Sequence, residues 1–127
     1  MKTIYARIAS ALEARQNCEK SGNDEWFDRH TETIERITKQ HMPSGSGIDA
    51  GMKFDFDKST SNKLIWSFGF HHMNDGGYYD GWTEHNLIVT PSLAFGIDVR
   101  ITGRNRNQIK DYLHETMHYA VTREVEL

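Results

Sequence analysis

The chain predicts an α+β domain: an N-terminal helical hairpin over residues 1–42, a four-stranded antiparallel sheet over 48–103 and a C-terminal helix over 105–124. Three observations predict it. Apolar positions recur at helical spacing as far as His41, the pattern turns to strict alternation after Met42-Pro43-Ser44-Gly45-Ser46-Gly47, and helical spacing returns after Thr102.

The first helix is read over Ile4 to Lys20, where Ile4, Ile8 and Leu12 recur every four residues among Ala9, Ala11 and Ala14. Lys20-Ser21-Gly22-Asn23 ends it. A second helix over Asp24 to His41, capped by Asn23 or Ser21, directs Trp26, His30, Ile34 and Ile37 inward. Neither stripe is wide enough to form a core alone, so the pair must lie on the sheet, on another chain, or partly on each.

Beyond the Gly/Ser segment, Met52, Phe54 and Phe56 alternate with Lys53, Asp55 and Asp57 in a first strand. Leu64 to Phe70 is a second strand, rich in aromatic and β-branched residues. Leu87-Ile88-Val89 lies in a third, and Phe95 to Thr102 alternates most regularly as the fourth. Short connections favour a meander. Ile109, Leu113, Met117 and Ala120 mark one face of the last helix. If Trp66, Phe68 and Phe70 lie on the face that this helix leaves bare, a second subunit is an economical cover, and a homo-oligomer is expected.

With 127 residues, 37% apolar content and a net charge of −3, the chain is one domain with one modest core. It lacks the basic excess of a protein that grips a nucleic-acid polymer through many phosphates. A small anionic ligand held by a few local cations fits better. The lone Cys18 forms no internal bridge; with no membrane-length apolar run and no secretory leader, the expected compartment is a reducing cytoplasm.

Two segments carry chemistry. Gly103-Arg104-Asn105-Arg106-Asn107 puts two guanidiniums beside a helix start, where free backbone N–H groups and the helix dipole favour phosphate; the same residues also serve as ordinary caps. His71-His72-Met73-Asn74-Asp75-Gly76-Gly77-Tyr78-Tyr79-Asp80-Gly81-Trp82-Thr83-Glu84-His85 crowds aromatics, histidines and glycines into one span. Tyr78, Tyr79 and Trp82 offer flat faces for a nucleobase, while Asp75-Gly76-Gly77 suits the turn of a hairpin whose bulky strand ends pair with each other.

Other motifs weigh less. His114-Glu115-Thr116-Met117-His118 fits the H-E-x-x-H zinc signature, but both histidines fall well off the apolar stripe of their helix. Glu124 has a metzincin-like offset, yet Val121 stands where the chain would need Gly to turn. His71 and His72 point to opposite strand faces, so one of them at most joins His85, and packed or hydrogen-bonded imidazoles are the expected state. Cys18 reads as a structural thiol. The pairs Asp55 with Asp57 and Asp80 with Glu84 read as ordinary surface strand carboxylates.

The ordered set of His41-Met42-Pro43-Ser44-Gly45-Ser46-Gly47-Ile48-Asp49, the His71 to His85 span and Gly103 to Tyr112 resembles small phage-encoded proteins, most closely the first type of Thoeris anti-defence protein. The resemblance implies a homo-oligomeric sponge, acting in the host bacterial cytoplasm without catalysis or cofactor. Its ligand would be a cyclic ADP-ribose isomer (glycocyclic ADP-ribose) made by a bacterial TIR enzyme, with CBASS cyclic oligonucleotides at separate sites. On that likeness Arg104 and Arg106 hold the diphosphate, Trp82, Tyr78 or Tyr79 stacks on adenine, and Asn86, Thr90, His71 and Asn105 bond base edges or ribose hydroxyls. Arg7, Arg15, Lys20, Arg29 and Lys39 are candidates for the second site. The rival readings are a metal-dependent hydrolase or phosphodiesterase, and a protein-binding inhibitor of a host defence protein.

Overall fold

The computed structural model describes residues 4–42, 48–73, 75–92 and 96–102. Helix α1 (Ile4–Ser21) and helix α2 (Asp24–His41) precede strands β1 (Ile48–Phe54), β2 (Leu64–Met73), β3 (Tyr79–Ser92) and β4 (Gly96–Thr102). The strands form one antiparallel sheet in the order β1-β2-β3-β4, the expected meander. The C-terminal helix expected over 105–124, with its H-E-x-x-H motif and Glu124, lies outside the described residues. No helix among the described residues is long and apolar enough to cross a membrane.

Asn23 caps α2: its Oδ1 accepts from the Trp26 backbone N–H at 3.2 Å, and Asp24 and Glu25 set negative charge against the positive end of the helix. Of the inward face expected for α2, Ile34 and Ile37 are buried, and Thr38 joins them. Trp26 does not. It is 47% exposed, with the Arg29 guanidinium 4.9 Å from its ring centroid and His30 tilted against it at 5.8 Å. Phe27 and Thr31, half-buried, continue the buried face of Ile34 and Thr38, and Trp26 falls to its edge.

Cross-strand partners share a face, so register separates the two sides of the sheet. Phe54↔Trp66↔Leu87, Phe68↔His85 and Leu64↔Val89 lie on one side. These residues form one buried cluster with Ile4, Tyr5, Ile8, Leu12, Ile34, Ile37 and Met42. The hairpin therefore lies on the sheet. Trp66 and Phe68, for which a second subunit was the expected cover, are buried by the chain's own N-terminal helices.

Trp66 is the hub. Fully buried, it meets Tyr5 of α1 edge-on at 6.2 Å and Phe54 of β1 at 5.3 Å, and its Nε1–H donates to Thr38 Oγ1 of α2 at 2.9 Å. Arg15 closes the seam on another side: its guanidinium is held between the Phe27 and Phe56 rings at 4.1 and 4.3 Å, and Nε donates to Thr31 Oγ1 at 2.7 Å.

Two strand limits differ from expectation. β1 ends at Phe54 because the Asp55 carboxylate turns inward on its own chain, Oδ1 accepting from the backbone N–H of Asp57 at 3.1 Å and of Lys58 at 3.0 Å. Asp55 and Asp57 are thus turn residues, not neighbours on a strand. β3 starts at Tyr79, far upstream of Leu87, because the aromatic span is a hairpin arm: Met73 pairs with Tyr79 and His71 with Trp82.

Thr38→Val keeps the volume of Thr38 but leaves the buried indole N–H of Trp66 without an acceptor. We expect destabilisation of about 1–3 kcal/mol, read as a lower urea midpoint with an unchanged m-value.

Candidate functional site

On the face opposite the helices the register sets side chains in rows. His71 pairs with Trp82; Gly69 lies between Asp49 and Glu84; Ser67 and Asn86 lie between Lys53 and Thr102. Together with Gly51, Asp55 and Lys58, the residues from Asp49 to Thr102 in these last two rows, and Trp82, line a trough of about 650 Å³. That volume lies within the roughly 300–1,000 Å³ typical of small-molecule sites.

Trp82 forms the floor. A Cβ on Gly69 would collide with the Nε1–Cε2–Cζ2 edge of the indole, so that edge occupies the space a side chain at 69 would need, and any side chain there would displace the ring. With 45% of its surface still accessible, the ring remains open to solvent. Gly81 makes this placement possible: at φ 106° it belongs to a bulge in which Asp80 and Gly81 oppose His72 alone, adding one residue to β3 just before Trp82. The bulge also breaks the regular alternation between Asp80 and Glu84.

His71 sits beside this floor. Its Nδ1 is 3.1 Å from Tyr79 Oη, and its Nε2 lies 3.6 Å from Asp49 Oδ1, tying β2 to both neighbours at the trough's end. Tyr79 is thereby held by its hydroxyl, whereas Tyr78, in the turn, is 75% exposed. The structure thus brings Trp82 and Asn86 into the trough, with His71 and Tyr79 at its end. Thr90 is not brought in. It lies eight residues along β3 from Trp82, about 26 Å of extended chain. Arg104, Asn105 and Arg106 lie outside the described residues, following Thr102 in the chain.

None of Arg7, Arg15, Lys20, Arg29 and Lys39 lines the trough. Arg15 is committed to Phe27, Phe56 and Thr31, and Arg29 to Glu25 at 2.9 Å and to Trp26. Arg7, Lys20 and Lys39 are exposed.

Sequence reasoning missed Lys53 and Lys58. Lys53 was legible only as a residue on the polar face of β1, and Lys58 had no signal apart from the Asx turn at Asp55 that now aims this segment toward the trough.

The other two strand histidines, His72 and His85, are on the helix side of the sheet. His72 Nε2 lies 2.6 Å from Thr83 Oγ1, which lies 2.5 Å from His85 Nε2; His85 Nδ1 lies 3.0 Å from the Thr102 carbonyl. The carbonyl only accepts, so Nδ1 of His85 carries the proton. With His85 neutral, the Thr83 hydroxyl donates to its Nε2 and accepts from His72 Nε2–H, which satisfies the chain throughout. Of the two adjacent histidines it is His72 that joins His85, as strand geometry requires. Among the described residues no three His, Cys, Asp or Glu side chains gather as a metal set. Cys18 is half-buried.

Burial lowers the His85 pKa below the usual 6.5, against the raising effect of its Thr102 hydrogen bond and with a further lowering by His72. The unfolded chain then binds more protons at this residue, so its contribution is present above about pH 6.5 and is lost as pH falls through the folded value. The urea midpoint is expected to drop between pH 7.5 and pH 5, and less steeply in His85→Gln. Gly69→Ala should displace the Trp82 ring while sparing the fold, changing near-UV circular dichroism and tryptophan emission but not the far-UV spectrum.

Comparisons of the chain with protein-family models, with curated proteins and with solved structures found no match.

Proposed function

We propose that the protein is a phage anti-defence sponge that binds and retains, without cleaving, cyclic ADP-ribose isomers made by bacterial TIR proteins. The observation that carries the reading is the exposed Trp82 indole, one edge of it over Gly69, in a polar trough of about 650 Å³. An accessible aromatic ring suits a nucleobase, and stacking of one base on such a ring contributes roughly 1–3 kcal/mol.

The rows beside the ring supply the rest of what such a ligand needs. Asp49 and Glu84, on either side of Gly69, accept hydrogen bonds from ribose hydroxyls or an exocyclic amine. Asn86 offers both donor and acceptor. Arg104 and Arg106, a short step along the chain from Thr102, hold the diphosphate by paired guanidinium bonds. The sponge works in the host bacterial cytoplasm as a homo-oligomer whose subunits close over the ligand, and CBASS cyclic oligonucleotides occupy separate sites.

The purified protein, incubated with extract from cells whose TIR defence is triggered, washed and heated, should release an intact cyclic ADP-ribose isomer identifiable by mass. Trp82→Ala should weaken binding about 10- to 100-fold, and Arg104→Ala with Arg106→Ala should abolish retention with the fold intact. A released nucleotide of altered mass, or none at all, refutes the reading.

A further inference from the structure

The Lys53 row is a different environment from the floor that Trp82 provides. Lys53, Ser67, Asn86 and Thr102 stand side by side across all four strands, and Lys58 enters the same end of the trough from the Asp55 turn. Neither lysine is in an ion pair with a described residue, although carboxylates of Asp49, Asp55 and Glu84 line the same trough. Asp55 Oδ1 is turned to the backbone N–H groups of Asp57 and Lys58 and makes no ion pair with the Lys58 ammonium.

Among the described residues the Asn86 amide also has no protein partner, and it is only partly buried. The Ser67 hydroxyl makes a single long bond to the Lys53 carbonyl, 3.5 Å. Two cations, an amide and a hydroxyl thus face one concavity with bonding capacity to spare. Asp49 and Glu84 flank Gly69, one row away, and Asp55 lines the lysine end. A ligand lying along the strands meets an aromatic and acidic end and then, about 7 Å on, a cationic and hydroxylic end. A ribose bridges a span of that order between a base and its 5′-phosphate.

We propose that Lys53 and Lys58, with Ser67 and Asn86, form an oxyanion subsite that takes phosphate oxygens of a nucleotide whose base rests on Trp82, in addition to the guanidinium bonds that the proposed function gives to Arg104 and Arg106. The subsite rests on the sponge reading for its nucleotide but not for its affinity for phosphate oxygens. Lys53 and Lys58 act as point charges, so the attraction weakens with salt, while Asn86 and Ser67 orient the oxygens by donating to them.

The test uses the full chain and two probes. Inorganic pyrophosphate reports on the subsite alone, by calorimetry at low and at moderate salt; a cyclic ADP-ribose isomer reports on the whole trough. Lys53→Gln with Lys58→Gln replaces two exposed side chains, and circular dichroism checks that the fold persists. Pyrophosphate should bind the parent protein saturably, more weakly as salt rises, and about tenfold or more weakly in the double variant, the loss expected for charge-assisted hydrogen bonds.

Absence of saturable pyrophosphate binding, or equal binding by the double variant, overturns the subsite. If the cyclic isomer binds in a Trp82-dependent way with unchanged affinity in the double variant, the sponge reading stands and the subsite falls. If pyrophosphate binds through the lysines and the cyclic isomer does not bind, the subsite stands and the sponge reading falls.

Discussion

The bond from Trp66 Nε1 to Thr38 Oγ1 is the constraint on which the remaining arrangement depends. A buried indole N–H without an acceptor is costly, and in this core the hydroxyl of a helix residue meets it. That one contact fixes α2 against β2, and the edge contacts of the same ring with Tyr5 and Phe54 add α1 and β1. With the helical hairpin committed to this side, the Trp66 side of the sheet becomes the core. The opposite side is left to carry polar rows.

The two faces then do different chemical work with similar residue types. Both carry a tryptophan, and both carry a histidine bonded to a hydroxyl. On the helix side Trp66 is fully buried and its N–H is bonded, and His72 Nε2, the Thr83 hydroxyl and both His85 nitrogens form a chain that ends on a backbone carbonyl. On the open side Trp82 keeps an accessible face, and Asn86, Lys53 and Lys58 keep bonding capacity that solvent or a ligand must meet. A binding trough needs this second condition. A core cannot tolerate it.

Much of the architecture was legible in the chain. The limits of α2 follow from the Asn23 cap and from Ile34 and Ile37 at helical spacing; the strands follow from alternation; the Asp75-Gly76-Gly77 turn marks the aromatic span as a hairpin. Trp82 and Asn86, both candidate site residues by sequence, line the same trough. Trp26 was misread as inward because a four-residue recurrence drifts round the helix, and Phe27, not Trp26, lies in line with Ile34 and Thr38. Thr90 does not line the trough although it shares the face of Trp82 and Asn86: strand residues of one face are equivalent in pattern, however far apart they lie.

What the sequence by itself determined is the kind and order of elements and the stock of side chains on each. Caps, turns and alternation are local, set by neighbours within a few residues. Tertiary structure alone decided which tryptophan became core and which became floor, and which lysines share a trough with Trp82. Those outcomes depend on register across four strands, and register here passes through irregularities at Ala50-Gly51-Met52 and at Asp80-Gly81. The one extra residue at Asp80-Gly81 switches the face of the side chains beyond it, and the two extra residues in β1 keep the faces but shift the partners, so the meeting of Lys53, Gly69 and Trp82 is a property of paired strands and of no single segment.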